Sequence, residues 1–136
     1  MDFEKLCEFR NANNRFAQKL GIVVEEIRPG YARAVKTVLP DELNPAGTTQ
    51  GGVCFTMADV ASGAASSSHG TFTATVSADY HYLSASHAGD VLTAEATEIK
   101  SGRTLCVYEV TVKTQSGVLV GSGTYTFILL DKKLPC

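Results

Sequence analysis

Two features in the first half of the chain have the residue types and spacing to do chemistry. Asp59 is the lone carboxylate in GGVCFTMADVASGAA (residues 51–65), a segment otherwise apolar or small. Gln50-Gly51-Gly52 stands where that segment would begin as a helix. A carboxylate withdrawn from water must be paired, hydrogen-bonded, protonated or set at a cleft. An acid at a cleft is a candidate general base or nucleophile. The first N–H groups of a helix lack internal partners and sit at the positive end of its dipole, and glycine lets a ligand approach them. Such an end binds a phosphate or a developing oxyanion. Each feature also has a purely structural reading: a carboxylate bonded to local backbone or facing water at a subunit edge, and an ordinary glycine-rich helix entry.

Their spacing links them. Asp59 lies eight residues past Gly51, or about 12 Å along a helix axis at 1.5 Å per residue. Reacting atoms must approach to about 3–3.5 Å. The Gly51 N–H and the Asp59 carboxylate of one chain therefore cannot easily serve one carbonyl, whereas two copies with antiparallel helices can. If both features are catalytic, the expectation is a homodimer with two shared sites.

The bulk of the chain excludes several other functions. Its 136 residues suit one domain over 1–136, with 44% hydrophobic and 19% charged residues and a net charge of −2. Charges are interspersed, and no basic stripe suggests nucleic acid. The start MDFEKLCEFR lacks an apolar leader core, and the longest apolar run is too short to cross a bilayer. A cytoplasmic protein without a membrane or nucleic-acid partner is expected. Cys7, Cys54, Cys106 and Cys136 are widely spaced, and His69, His81 and His87 show no metal-ligand spacing, so no metal is expected. Cys54, in the first turn of the apolar helix, has a thiol the dipole could activate, against a plainer role in packing.

The elements that must position these residues follow from periodicity. Residues 1–20 read as an N-terminal helical segment, with Phe3, Leu6, Phe16, Ala17 and Leu20 on one face, a break or bend at NANN (11–14) and a stop at Gly21. Residues 22–28 and 31–39 read as strands around Pro29-Gly30, and 40–50 as a loop whose Thr48 or Thr49 would cap the apolar helix. Four more strands follow. In the first, Phe72, Ala74, Val76, Ala78, Tyr80 and Tyr82 share one face, and Thr73, Thr75, Ser77, Asp79 and His81 the other. An apolar helix must be covered, which predicts an α+β fold with an antiparallel sheet wrapped around a central helix and no water left for Asp59.

The spaced set Asn44, Gly47, Gln50-Gly51-Gly52 and Asp59 resembles the hotdog-fold acyl-CoA thioesterases of the phenylacetate type, and the resemblance extends over TATVSADYHYLSASHAGDVLTAEAT (73–97), Ser101-Gly102-Arg103 and GSGTYTF. It covers about residues 15–130. It implies a hotdog fold and a homo-oligomer, dimer or tetramer. It also implies an acyl- or aryl-CoA substrate, with coenzyme A entering only as part of it and no separate cofactor. By the same resemblance, the Gly51 N–H polarises the thioester carbonyl and Asp59 of the partner chain acts as general base or nucleophile. Asn44 positions water or thioester, and Ser77 assists the water. Gln50 stands where the family commonly carries His; it keeps a donor and an acceptor but does not titrate near neutral pH. Gly52, Tyr80 and Tyr82 are candidate pocket residues, and Lys100 and Arg103 candidate partners for the phosphates of coenzyme A. The leading expectation is an acyl-CoA thioesterase. A non-catalytic acyl-CoA-binding module, suggested by Gln50, ranks second. A dehydratase of hydroxyacyl thioesters ranks third, since no His lies between Asn44 and Asp59.

Overall fold

The computed structural model describes all 136 residues. The N-terminal segment forms two helices, α1 (Phe3–Asn13) and α2 (Arg15–Leu20). Asn14 divides them: its extended backbone ends α1, and its side chain accepts from the Ala17 N–H to start α2. The break changes the helical phase. Leu6 and Ala17 are buried as expected, but Phe16 turns outward, 61% exposed.

Strands β1 (Val23–Arg28), β2 (Tyr31–Thr37), β3 (Thr71–Tyr82), β4 (Val91–Ser101), β5 (Leu105–Lys113) and β6 (Leu119–Lys133) form one antiparallel sheet in the order β1-β2-β4-β5-β6-β3. Helix α3 (Gly51–Ser67) lies across it. The floor beneath α3 is made of small side chains: Ala32 pairs with Ala96 and Ala34 with Ala94, all fully buried. They meet Ala58, Ala61, Ala64 and Ala65 of α3. Small residues on both sides let helix and sheet approach closely, while Tyr108, Val110, Tyr125 and Phe127 fill the deeper side of the core.

The sheet packs against α3 and buries its C-terminal half, but leaves one stripe of the N-terminal half uncovered. Gly52 and Phe55 are exposed, and Thr56 and Asp59 half-buried, forming a stripe at helical spacing. The expectation that Asp59 has no access to water is corrected by this open stripe.

A second correction concerns β3. Thr75 pairs with Phe127 and Ala78 with Tyr125, so β3 spends two residues where β6 spends only Thr126. Val76 is the extra residue of a bulge. Cross-strand partners share a face, so Thr73 and Thr75 point with Tyr125 and Phe127 toward the core. Beyond the bulge, Ala78, Tyr80 and Tyr82 take over that face. Thr75 and Ser77, expected on one face, lie on opposite ones.

The loop before α3 is fastened by a buried ion pair. Lys36 on β2 contacts Glu42 Oε2 at 2.7 Å, with side chains only 1% and 9% exposed. Lys36 Nζ also donates to the Leu20 carbonyl at the end of α2. The Glu42 carbonyl accepts from Gln50 N at 2.9 Å. Removing one partner strands a buried charge, so Lys36→Ala is expected to lose about 3–5 kcal/mol in urea unfolding, with Lys36→Met/Glu42→Met recovering most of it. Equal loss in the double variant would contradict this account of the clamp.

Candidate active site

The loop delivers α3 with its amide end open. Asn44 organises the turn: its Oδ1 accepts from Ala46 N (3.0 Å) and Thr48 N (3.1 Å), and its Nδ2 donates to Thr48 Oγ1 (2.8 Å). Thr49 is pinned from outside, its Oγ1 accepting from Ser86 Oγ at 2.6 Å. Neither threonine caps α3, because both hydroxyls are engaged in the loop. The cap position belongs to Gln50, whose exposed side chain makes no capping hydrogen bond. The Gly51 and Gly52 N–H groups find no backbone acceptor, leaving two donors at the positive end of the dipole.

Asn44, Gly51, Cys54 and Tyr82 line one cavity of about 420 Å³. The Tyr82 hydroxyl donates to the Gly51 carbonyl at 3.0 Å and packs its ring beside that residue. Tyr80 stacks edge-on against Tyr82 (4.8 Å between centroids), and its hydroxyl is buried without a partner. Gly121 makes room for that hydroxyl, which would lie 2.1 Å from a Cβ there.

Asp59 is not in this cavity. It lies two turns along α3, where Thr75 Oγ1 donates to its Oδ1 at 2.8 Å. That bond fixes the carboxylate and leaves Oδ2 free of any partner within the chain. Thr75 is the residue the sequence reading missed. Ser77 was expected beside Asp59, but the Val76 bulge turns Ser77 to the outer face with its partner Thr126. A single inserted residue in an otherwise regular alternation gives no clear sequence signal.

Lys100 and Arg103 are exposed at the β4–β5 turn. Ser86 ties the entry to β4 to the Gly51 end of α3, whereas Ser68 Oγ, just past α3, accepts the Gly30 N–H at 2.9 Å, and the Gly30 carbonyl accepts from Glu98 N. The far end of β4 therefore lies beneath the C-terminal end of α3. Lys100 and Arg103 are remote from Gly51 of their own chain.

The other nucleophile and base candidates are accounted for. Burial pushes the Cys54 thiol up to about 11, the reverse of activation. His69 shares Glu98 with the buried Tyr108 hydroxyl, His81 lies near Asp79, and His87 near Asp90.

The sequence profile of the thioesterase superfamily matches residues 46–120. The chain is 31% identical to acyl-coenzyme A thioesterase PaaI of Escherichia coli K12, over 76% of this chain and 74% of that protein. The solved structure of the E. coli PaaI protein from the phenylacetic acid degradation operon superposes with TM-score 0.92 at 25% identity, covering 96% of this chain and 94% of that one. A hypothetical thioesterase of Streptococcus pneumoniae TIGR4, solved with coenzyme A, superposes with TM-score 0.79 at 31% identity, covering 83% and 88%. Variants of that pneumococcal protein with an aspartate or a threonine replaced by alanine, the two positions sixteen apart, superpose with TM-scores 0.76 and 0.75 at 31% identity, covering 79% of this chain and 89% and 88% of theirs. Asp59 and Thr75 have that same separation of 16.

Cys54 gives a pH prediction. Its folded thiol binds its proton more tightly than the ordinary thiol at 9.0, and burial pushes up the hydroxyls of Tyr80, Tyr108 and Tyr125 as well. The stability these groups contribute is complete below the unfolded range and drains away as pH rises through the folded value. The thermal midpoint is expected to fall between pH 9 and about 11, and native Cys54 to resist iodoacetamide at about pH 8. Rapid labelling of Cys54 there would show an activated thiol.

Proposed function

The chain belongs to the thioesterase superfamily, and we propose that it hydrolyses an acyl- or aryl-CoA thioester to the carboxylic acid and coenzyme A, using Asp59 of one copy and the Gly51 amide of another. The thioester carbonyl accepts the Gly51 N–H at the dipole-positive end of α3. Charge gathering on that oxygen in the transition state is stabilised there, an effect typically worth about 2.7–4 kcal/mol per donor. Asp59 Oδ2, free while Thr75 holds Oδ1, takes a proton from the attacking water or attacks the carbonyl itself to give an acyl-enzyme anhydride. The C–S bond breaks and coenzyme A leaves as its thiolate, which takes up the proton released by water. In the anhydride route a second step, attack of water on the anhydride, frees the acid and regenerates Asp59. No metal or redox group takes part.

The observation that carries this reading is the separation of acid and amide along an unbroken α3 (Gly51–Ser67), about 12 Å for eight residues. Two further features support a second copy. The open stripe of α3 carries Gly52, Phe55 and Asp59, and β3 is an unpaired sheet edge with Val76 55% and Tyr82 57% exposed. With two α3 helices antiparallel, each Gly51 end faces the other chain's Asp59. Lys100 and Arg103, at the opposite end from their own Gly51, then lie toward the neighbour's loop and meet the phosphates of coenzyme A. Gln50 supplies its amide donor to the thioester, and Asn44 acts through the turn it holds. Gly52, Tyr80 and Tyr82 shape the pocket wall.

Thiol release from acetyl-, hexanoyl- and phenylacetyl-CoA tests the assignment. Asp59→Asn is expected to lower kcat by about 10²–10⁴, and Thr75→Ala by about tenfold through loss of one hydrogen bond to a charged group, with Thr75→Ser largely restored. Turnover unchanged in Asp59→Asn would remove the carboxylate from the mechanism.

A further inference from the structure

One half-buried cation, with its Nε shut off from water, has no part in this chemistry. Arg10 stands on α1 four residues after the fully buried Leu6, on the same helix face. Its Nη2 reaches α3 at Gly63, where a Cβ would lie 3.1 Å from it and 3.6 Å from the Phe127 ring. The glycine is the notch that admits the guanidinium. Gly63 is one turn beyond Asp59 on the same face, about 6 Å along the axis.

The guanidinium has nothing to bind there. Its Nε is buried without a hydrogen-bond partner, and Arg10 enters none of the chain's ion pairs. Burial pushes it down to about 10, with Asp59 the main charge opposing that shift. Asp59 lies beyond ion-pair reach and so does not occupy these donors. An unpaired buried cation is expensive, and a planar fork of N–H donors fits a carboxylate. Arg10 also lines a cavity of about 430 Å³, between Phe9 and Phe72, with Asn13, Asn14 and Arg15 at its edge. The two phenylalanine rings meet edge to face at 6.1 Å and form the apolar wall of that cavity, with Arg10 and Arg15 beside it.

We propose that Arg10 is a specificity-determining residue of the acyl pocket, selecting acyl groups that end in a carboxylate: a dicarboxylyl-CoA with its thioester at Asp59 and its far carboxylate on the Arg10 guanidinium. This rests on Asp59 being the reacting carboxylate. The methylene chain runs along α3 from Asp59 toward Gly63, about 6 Å, where the Arg10 guanidinium sits. Arg10 offsets the repulsion that Asp59 would exert on a second anion nearby.

The test compares kcat/KM for glutaryl- and adipyl-CoA with that for butyryl- and hexanoyl-CoA in the wild type, R10M and R10K. The wild type is expected to favour the dicarboxylyl esters by roughly ten- to hundredfold, as a charge-assisted contact gives. R10M brings that ratio to about one, and R10K keeps part of it. A wild type that prefers the neutral esters overturns the pocket while leaving the hydrolase intact. So does an R10M that loses both series by the same factor, because Arg10 then acts only through Asp59 or the fold. Thiol release from none of the esters overturns the hydrolase and this assignment with it. Free adipate gives a readout independent of turnover: it raises the thermal midpoint of the wild type but not of R10M, and an equal effect on both overturns the proposal.

Discussion

The N-terminal half of helix α3 keeps one uncovered stripe, and the rest of the site depends on that. Alanines on β2 and β4 let the helix settle close to the sheet. The sheet packs all six strands against α3, yet one stripe through Gly52, Phe55, Thr56 and Asp59 stays uncovered. Asp59 lies on that stripe, half-buried and held by Thr75. The amide end lies on the same helix but too far away for one chain to use both on one carbonyl. A side chain that would be an error in an enclosed core is, on this stripe, placed where the proposed shared cleft needs an acid.

The amide end is useful only if it is held still and left uncapped. Lys36 and Glu42 tie the loop to β2 and to the end of α2, and Ser86 holds Thr49 from the strand side. Asn44 spends its amide on the turn that leads to Gln50 and Gly51. The buried ion pair is weak evidence for net stability, because desolvation offsets much of its attraction. Its evident effect is on geometry: it fixes where the helix begins.

Much of this was legible in the sequence, for identifiable reasons. The apolar α3 with its single acid, the glycine pair and the regular turns point to an antiparallel sheet around a central helix and fix the Gly51–Asp59 separation, while the hotdog assignment came from the resemblance. What stayed hidden depended on tertiary registration. A bulge at Val76 inverts the face of half a strand, so alternation put Thr75 and Ser77 together, and the resemblance that favoured Ser77 passed over Thr75. The caps expected of Thr48 and Thr49 failed because loop contacts claimed both hydroxyls first. Arg10 carried a faint signal: it falls on the stripe of the buried Leu6, where a surface arginine would not be expected. Only the notch at Gly63, distant in sequence, gives that position meaning.

The claim that one chain's acid works with another chain's amide is tested most directly by mixing two inactive variants. Asp59→Asn removes the acid, and Gly51→Pro removes the amide donor while suiting the first position of a helix. Gln50, with φ −59° and ψ 134°, already has the backbone a following proline requires. After unfolding and refolding together in equal amounts, half of the dimers are hybrids with one intact site of two, so roughly a quarter of wild-type thiol release should return. A mixture as inactive as its two components would place both groups in one chain and contradict the account.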